Sequence, residues 1–205
     1  IYSANATVRF RYEGAGKFLR DGTITRGQWG ITQDDTGRLY YNSNSDPLRI
    51  DAVPSAYLRR NPNFTATATN VKVTPARLPT FPGRVTPGIN RGYNSLDQEG
   101  KLMSVTAACG PVIYRGGLFL AEFRGDAFIA EPSGNLIKRI KLTEKDGAVT
   151  GSNAYEGSEF LTSTDERFRP VNLFNGPDGA LYVVDLYRGV LQHKTYVTSF
   201  LRKQI

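Results

Sequence analysis

The feature that most constrains the fold is a short pattern of a tight turn, an apolar run and a polar end. It occurs three times, as "DDTGRLYYNSNSD" at 34–46, as a looser "FRGDAFIAEPSGN" at 123–135, and as "NGPDGALYVVD" at 175–185. In the last of these, Pro177 presets φ for a β-turn, Asp178 can bond its own backbone, and Gly179 tolerates a positive φ. The pattern predicts a hairpin whose second strand is buried on both faces.

Each occurrence lies in a longer repeat, spanning 26–52, 101–142 and 161–193. The upstream strands are headed by Arg26, Cys109 and Arg169, and the downstream strands are "PLRI" (47–50), "NLIKRIKL" (135–142) and "GVLQH" (189–193). Repeated antiparallel strands of this kind predict an all-β fold built from the four-stranded blades of a β-propeller. An ordinary β-sandwich with common turn types is the alternative.

The rest of the chain is predicted to belong to the same single domain, 1–205. Residues 6–13 and 16–24 read as two strands, with Val8, Phe10 and Tyr12 on a buried face. A Pro/Gly-rich segment at about 53–100 is predicted to be an irregular insertion, which either carries function or covers the sheet. Residues 143–160 read as a polar hairpin or loop, and the last residues as a short amphipathic helix.

Composition excludes several classes of protein. The formal charge is +7, but the basic residues are scattered and form no nucleic-acid-binding motif, so no nucleic-acid partner is predicted. No apolar run is long enough for a transmembrane helix. The single cysteine rules out an intrachain disulfide, a thiolate zinc site and a covalent haem. The chain begins at Ile1 without a signal segment, which suggests processing or truncation.

Four segments together resemble one family. They are "RGQWGITQDDTGRLYYNSNSDPL", "AACGPVIYRGGLF", "FIAEPSGNLIKR" and "EFLTSTDERFRPVNLFNGPDGALYVVDLYRGVLQH". They are similar to the glucose/sorbosone dehydrogenase-like β-propellers, and within them to the bacterial "membrane-bound dehydrogenase" propellers that are often fused to cytochrome c. The resemblance implies a six-bladed propeller in the periplasm. It also implies a pyrroloquinoline quinone (PQQ) cofactor with Ca²⁺, oxidation of a sugar or alcohol, and electron transfer to a c-type cytochrome.

The resemblance also implies candidate site residues. Arg169 in "FRPVNLF" and Arg26 in "RGQWG", together with Gln28, are the candidate cofactor-binding residues, because a guanidinium pairs well with the carboxylates of PQQ. The alternative for each Arg is a structural carboxylate partner such as Asp165 or Asp185. The backbone carbonyls of Gly110 and Pro111 are candidate Ca²⁺ ligands. Arg26, Gln28, Cys109 and Arg169 are expected to face one cavity, with the alternative that Cys109 is simply a buried small residue.

Two features depart from the family pattern. The family's general base is a His in an early blade, whereas the one histidine here is His193, in "VLQHKTY" near the end. No haem-attachment motif is present. The catalytic residue is therefore unassigned: the base lies outside this sequence, or the protein is not that enzyme.

Two other functions stay open, namely a non-catalytic propeller that docks an electron-transfer or other periplasmic complex, and a carbohydrate-binding propeller. Three repeats and a fourth candidate at 6–24 would supply about three to four blades, which cannot close a six-bladed ring. The sequence therefore predicts that the remaining blades come from another chain or a cleaved segment, through an apolar contact larger than about 1,600 Å². Tyr41, Ile129, Val183 and Val184 would otherwise lack neighbours at the ends of the arc.

Overall fold

The computed structural model describes residues 1–4, 6–23, 27–58, 60–61, 63, 69–89 and 93–205. These residues form a mostly β fold with several small antiparallel sheets and few helices, which confirms the all-β prediction.

The chain opens with a two-stranded hairpin, here called the N-terminal hairpin, formed by β1 (Val8–Gly14) and β2 (Lys17–Gly22). Both strands match the prediction. The prediction that one face is buried is wrong, because Phe10 is 37% and Tyr12 59% exposed. Arg9 and Asp21 form an ion pair on the opposite face, so the hairpin is amphipathic but its apolar face has no cover among the described residues.

The first repeat forms a four-stranded antiparallel sheet, the first unit, in the order β3-β4-β5-β6. Its elements are β3 (Ile31–Gln33), β4 (Leu39–Ser43), β5 (Asp46–Asp51), the short helix α1 (Ser55–Leu58) and β6 (Val71–Lys72). β6 falls inside the predicted insertion at about 53–100, so that part of the insertion supplies the outer strand of a sheet.

The second repeat forms a sheet of the same design, the second unit, in the order β7-β8-β9-β10. Its strands are β7 (Cys109–Ile113), β8 (Ala127–Glu131), β9 (Leu136–Lys145) and β10 (Ala148–Asn153), and the short β11 (Leu161–Thr162) also pairs with β9. The turn between β9 and β10 places Asp146 and Gly147 at positive φ, which suits a tight hairpin. The segment 143–160 is therefore largely a hairpin, as predicted.

The third repeat forms only a two-stranded sheet, the third unit, from β12 (Pro170–Asn175) and β13 (Leu181–Asp185). Its turn behaves as predicted, since the Ala180 N–H donates to Asp178 Oδ1 at 3.0 Å and Gly179 has a φ of +84°. The predicted outer strand "GVLQH" (189–193) is wrong. That segment is irregular because the Arg188 and Gly189 carbonyls, which strand pairing would use, accept hydrogen bonds from Arg169.

An apolar core lies between the first and second units, which stack face to face. Tyr40 and Ile50 of the first unit meet Ile113 and Ile129 of the second unit there. The described residues of the segment 73–106, here called the strap, seal this core with Val73, Leu78 and Val105. Much of the predicted insertion thus covers the sheets, which was one of the two alternatives.

A second apolar core lies between the second and third units. Phe128 and Ala130, on the other face of β8, meet Leu173 and Leu181 of the third unit. Because successive residues of a strand point to opposite faces, β8 contributes to both cores and every one of its residues is buried. β8 therefore meets the sequence prediction of a strand covered on both sides.

The C-terminal residues return along the strap. The Ile89 N–H donates to the Tyr196 carbonyl at 2.9 Å, and Thr198 Oγ1 donates to the carbonyls of Thr86 and Pro87, each at 3.0 Å. The chain ends in the helical turn α2 (Ser199–Arg202), whose Leu201 is buried. The predicted terminal helix is present but is only one turn long.

Candidate functional site

All three units meet at one cavity of about 400 Å³, here called the end cavity. It lies where the innermost strands of the units begin and their second strands end. The first unit contributes Trp29 and Asn44, and the second contributes Ala107, Pro132 and Ser133. The remaining wall is formed by Gly88, Ile89, Arg169, Leu191, Gln192, His193 and Tyr196.

The polar residues that end the second strands anchor the chain where it enters the innermost strands. The Glu131 carboxylate is fully buried and accepts from the backbone N–H groups of Thr106, Ala107 and Ser133 at 2.8–3.2 Å. Asp185 plays the same role in the third unit, where its Oδ1 accepts from the Arg169 N–H at 2.7 Å. The polar end of the apolar run is thus explained in the second and third units, where the carboxylate satisfies backbone donors at the cavity rim.

The Glu131 carboxyl feels opposing electrostatic effects. Burial raises its pKa, while hydrogen bonds from Ser133, Ala107 and Thr106 lower it, and the net effect is a raised pKa. Ser133 Oγ donates to this carboxyl and also lies 3.2 Å from Thr106 Oγ1. The rim of the second unit is therefore a closed hydrogen-bond network with little capacity left for a ligand.

Arg169 is completely buried in the wall of the end cavity. Its guanidinium donates to the carbonyls of Pro132 at 2.8 Å, Gly189 at 2.8 Å and Arg188 at 3.2 Å. Burial lowers its pKa to about 10. The expected alternative partners, Asp165 and Asp185, do not receive the guanidinium. Arg169 instead ties the second unit to the loop that follows the third.

Trp29 and Asn44 form the part of the cavity wall that belongs to the first unit. The Trp29 indole N–H donates to Asn44 Oδ1, which fixes the half-exposed ring against the rim. Asn44 Nδ2 makes no hydrogen bond within the described residues. The Gln28 side chain supports this corner through a long contact of 3.5 Å from the Asn44 N–H to its Oε1, and it lines a neighbouring small pocket.

The opposite wall comes from the C-terminal segment held against the strap. Gly88 lies close to Gln192: a Cβ at position 88 would be 2.2 Å from Gln192 Cγ, so a larger residue there would require the Gln192 side chain to shift. Gln192 Oε1 accepts from the Leu191 N–H, which leaves its Nε2 directed elsewhere. His193 caps a short helical turn by accepting from the Thr195 N–H, and its ring lies 6.2 Å from that of Tyr196.

The structure brings together only part of the predicted site. Arg169 lines the end cavity. Gln28 precedes the cavity residue Trp29 in the chain and lines a neighbouring small pocket, and Arg26 lies outside the described residues. Cys109 is mostly buried, with its Sγ 3.7 Å from the Ala130 carbonyl, and burial strongly raises the pKa of its thiol. The environment of Cys109 therefore matches the alternative of a small buried residue.

Gly110 has a structural role that the sequence did not reveal. Its φ is +49°, and a Cβ there would meet Asn172 Cα of β12 at 2.4 Å. Glycine thus lets β7 and β12 approach at backbone contact. The predicted Ca²⁺ ligation by Gly110 and Pro111 stays a prediction, and no cluster of three or more His, Cys, Asp or Glu side chains suited to a metal occurs in the described ranges.

The described residues do not by themselves fit a quinone that carries several carboxylates. Arg169 already has three carbonyl partners, and the rest of the described cavity wall contributes no other Lys or Arg. PQQ accordingly stays a prediction from the resemblance, in which Arg26 would have to supply the cation.

Several cavity residues were not found by reading the sequence. Trp29, Asn44, Gln192 and Tyr196 come from distant parts of the chain, and His193 was singled out only because it lies far from the place of the family's general base. One signal was available, since Trp29 is the single tryptophan of the chain and lies just before an innermost strand.

Residues 3–205 match the family described as "Domain of unknown function (DUF7133)". The chain belongs to this family. No curated protein and no solved structure matches it. Among the described residues, no helix is both long and apolar enough to cross a membrane.

Proposed function

We propose that this chain is part of a β-propeller whose end cavity binds a sugar or a similar neutral, polyhydroxylated ligand. The observation that carries the proposal is the convergence of all three units on one cavity whose described wall offers aromatic faces and amide groups. Ligand sites of this kind are mostly apolar, with a few polar groups that fix orientation.

The propeller arrangement is supported by how the units stack. The first and second units are four-stranded antiparallel sheets that pack face to face, and the third unit packs on the second. The three units follow one another along the chain. The innermost strands of the second and third units approach closely, as the contact between Gly110 and Asn172 illustrates. Stacked antiparallel sheets with converging inner strands are the arrangement of propeller blades.

Sugar binding is supported by the chemistry of the wall. The half-exposed Trp29 ring and the Tyr196 ring offer flat apolar surfaces that also carry a polar group. Asn44 Nδ2 and Gln192 Nε2 are amide donors at the cavity without a hydrogen-bond acceptor among the described residues. Hydroxyl groups both donate and accept, so a polyol can satisfy such amides where a carboxylate-rich ligand would need cations.

Oxidation of the bound sugar or alcohol is the second candidate, with PQQ and Ca²⁺ as cofactors and a periplasmic c-type cytochrome as electron acceptor. It follows from the resemblance, and it needs a cation other than Arg169, whose guanidinium lines the cavity but already donates to three carbonyls. Both candidates place a sugar at the same cavity, and they differ in whether redox chemistry follows. A purely scaffolding propeller is the outcome if no ligand binds.

The single tryptophan makes the proposal directly testable. Trp29 emission should shift or quench when mono- and disaccharides are titrated in the millimolar range, because the only Trp lies at the cavity. Asn44→Ala should weaken binding about tenfold, the cost of roughly one hydrogen bond. Gln33→Ala, an exposed amide on β3 outside the cavity wall, is the control.

A second arm separates binding from oxidation. The protein is incubated with PQQ and Ca²⁺, and dye reduction is followed with the same sugars. Sugar binding without dye reduction supports a binding propeller, and sugar-dependent reduction supports the dehydrogenase. Unchanged Trp29 emission and flat calorimetry across the sugar panel would contradict the proposal.

A further inference from the structure

One face of the third unit is uncovered. We call it the open face; it is formed by Phe174 and Val184 on either side of Tyr182, which is 50% exposed. These side chains point away from the second unit, because Leu173 and Leu181, which alternate with them along the strands, pack against it. The open face is therefore a contiguous aromatic and aliphatic surface of the kind that marks an interaction site.

The equivalent face of each preceding unit is covered by the next unit. The second residue of each second strand is aromatic, namely Tyr40 in β4, Phe128 in β8 and Tyr182 in β13. Tyr40 lies in the core against the second unit, and Phe128 lies in the core against the third. Continuity of this series indicates that Tyr182 also packs against a β-sheet unit of the same kind.

The N-terminal hairpin has the complementary deficiency. Its apolar face carries Phe10, Tyr12 and Phe18, all exposed, and the rings of Tyr12 and Phe18 pack on each other with centroids 5.2 Å apart. No other described strand pairs with β2, and none pairs with the outer edge of β13. The hairpin has two strands, and two strands are what the third unit lacks relative to the other units.

We propose that the open face binds a second copy of this chain, head to tail, with the N-terminal hairpin of the second copy lying along the free edge of β13. Each chain then contributes two complete four-stranded units. It also contributes the inner two strands of a third unit, β12 and β13, and the outer two strands of another, β1 and β2. Two copies give a closed ring of six, within the four to eight blades of known propellers, whereas pairing within one chain would need a ring of three. Closure by a two-fold axis uses the same contact twice.

The hydrogen-bond register identifies the edge that would pair. The Gly176 N–H donates to the Ala180 carbonyl at 2.8 Å, so by antiparallel alternation the Phe174–Tyr182 pair is also hydrogen-bonded and the Leu173–Val183 pair is not. The Val183 N–H therefore points to the free edge. A proline at 183 removes this donor without touching the β12–β13 ladder, since an edge strand tolerates proline on its free side.

The test measures the mass of the 205-residue chain in solution by light scattering and sedimentation. The wild type is expected at about twice the monomer mass of 22.7 kDa. Val183→Pro, and separately the double variant Phe10→Lys with Phe18→Lys, should raise the dimer dissociation constant at least tenfold. Val183→Thr, which keeps the N–H, and Arg11→Gln, on the charged face of the hairpin, should remain dimeric. Circular dichroism checks that each variant is folded.

Mixing the two monomeric variants gives the sharpest result. Each mixed dimer regains one intact contact, because the intact hairpin of the Val183→Pro chain meets the intact open face of the Lys variant. Recovery of dimer in the mixture, but in neither variant alone, supports the proposal. A wild-type monomer, an assembly that does not stop at two copies, or variants that stay dimeric would overturn it.

This inference rests on the propeller arrangement proposed above and is independent of sugar binding. A monomer that still binds sugars would overturn the assembly alone, and a dimer with unresponsive Trp29 emission would overturn the ligand proposal alone.

Discussion

The second and third units share a sequence pattern but not an environment. β8 lies between two cores and is buried along its whole length, whereas Tyr182, Val183 and Val184 of β13 are exposed. Each strand follows a similar turn and ends on a carboxylate. That carboxylate accepts hydrogen bonds from the backbone that leads into the innermost strand of its unit. The difference teaches that the pattern specifies a strand and its anchor, while burial is decided by the sheets that flank it.

The largest effect should separate the two equivalent aromatic residues. Phe128→Ala removes a fully buried ring and leaves a cavity, which costs about 3–5 kcal/mol of unfolding free energy. Tyr182→Ala should change stability far less in the monomeric state, because half of its side chain already meets water. Urea unfolding of both variants checks this, preferably in a background that is monomeric. Equal losses would show that the third unit is covered in solution.

The two anchoring carboxylates provide the next comparison. Glu131→Ala leaves the N–H groups of Thr106 and Ala107 buried without an acceptor, which should cost about 3 kcal/mol. Asp185→Ala should cost less than this, since Asp185 itself is exposed and water can reach one of its two donors, the N–H of the exposed Tyr187. Chemical denaturation measures both, and a larger loss for Asp185 would contradict the difference in environment between the units.

Sequence reasoning succeeded where structure is local. The strands Leu39–Ser43, Ala127–Glu131 and Leu181–Asp185 follow turn chemistry and apolar runs, and all are present. It failed where burial or contact depends on distant chain. β13 was expected to be buried on both faces, but no described sheet covers the open face of the third unit.

The candidate site shows the same limit. Arg169 lines the cavity, but its carbonyl partners in the 188–189 loop depend on a backbone path that no local pattern encodes. Gln192 meets Gly88 only because the C-terminal segment returns along the strap. The strand expected at 189–193 was wrong for the related reason that Arg169 takes the carbonyls of that loop.

Arg169 joins the well-packed and the open region, so its replacement sharpens the comparison. Arg169→Lys keeps the charge but cannot span three carbonyls, and should cost about 2 kcal/mol by leaving at least one buried acceptor unpaired. Hydrogen exchange should show faster exchange in the third unit and the 186–193 loop, with little change in β8. Arg188→Lys is the control, because Arg188 is exposed and offers only its backbone carbonyl. Faster exchange spread evenly over both units would argue against a local tie.

The smallest effect is a pH dependence that belongs to the buried carboxyl. Burial raises the pKa of Glu131 above its ordinary value of 4.5, so the folded chain holds that proton more tightly than the unfolded chain. The stabilisation that the Glu131 proton contributes is therefore fully present below pH 4.5, and it is lost as the pH rises through the raised pKa of the folded chain. For one proton the slope cannot exceed about 1.4 kcal/mol per pH unit.

Glu131→Gln isolates this contribution, since the amide oxygen still accepts from the Thr106 and Ala107 N–H groups while the titration disappears. The difference in unfolding free energy between wild type and variant should shift toward the variant as the pH is raised from 4 to 7, because only the wild type loses the stabilisation of the bound proton. Asp185→Asn is the matched change at the exposed anchor. If the wild type instead gained stability relative to Glu131→Gln with rising pH, the hydrogen bonds to Glu131 would outweigh its burial. Glu131 and Asp185 would then act in the same way, as hydrogen-bonded carboxylates, and would differ only in the size of their effects.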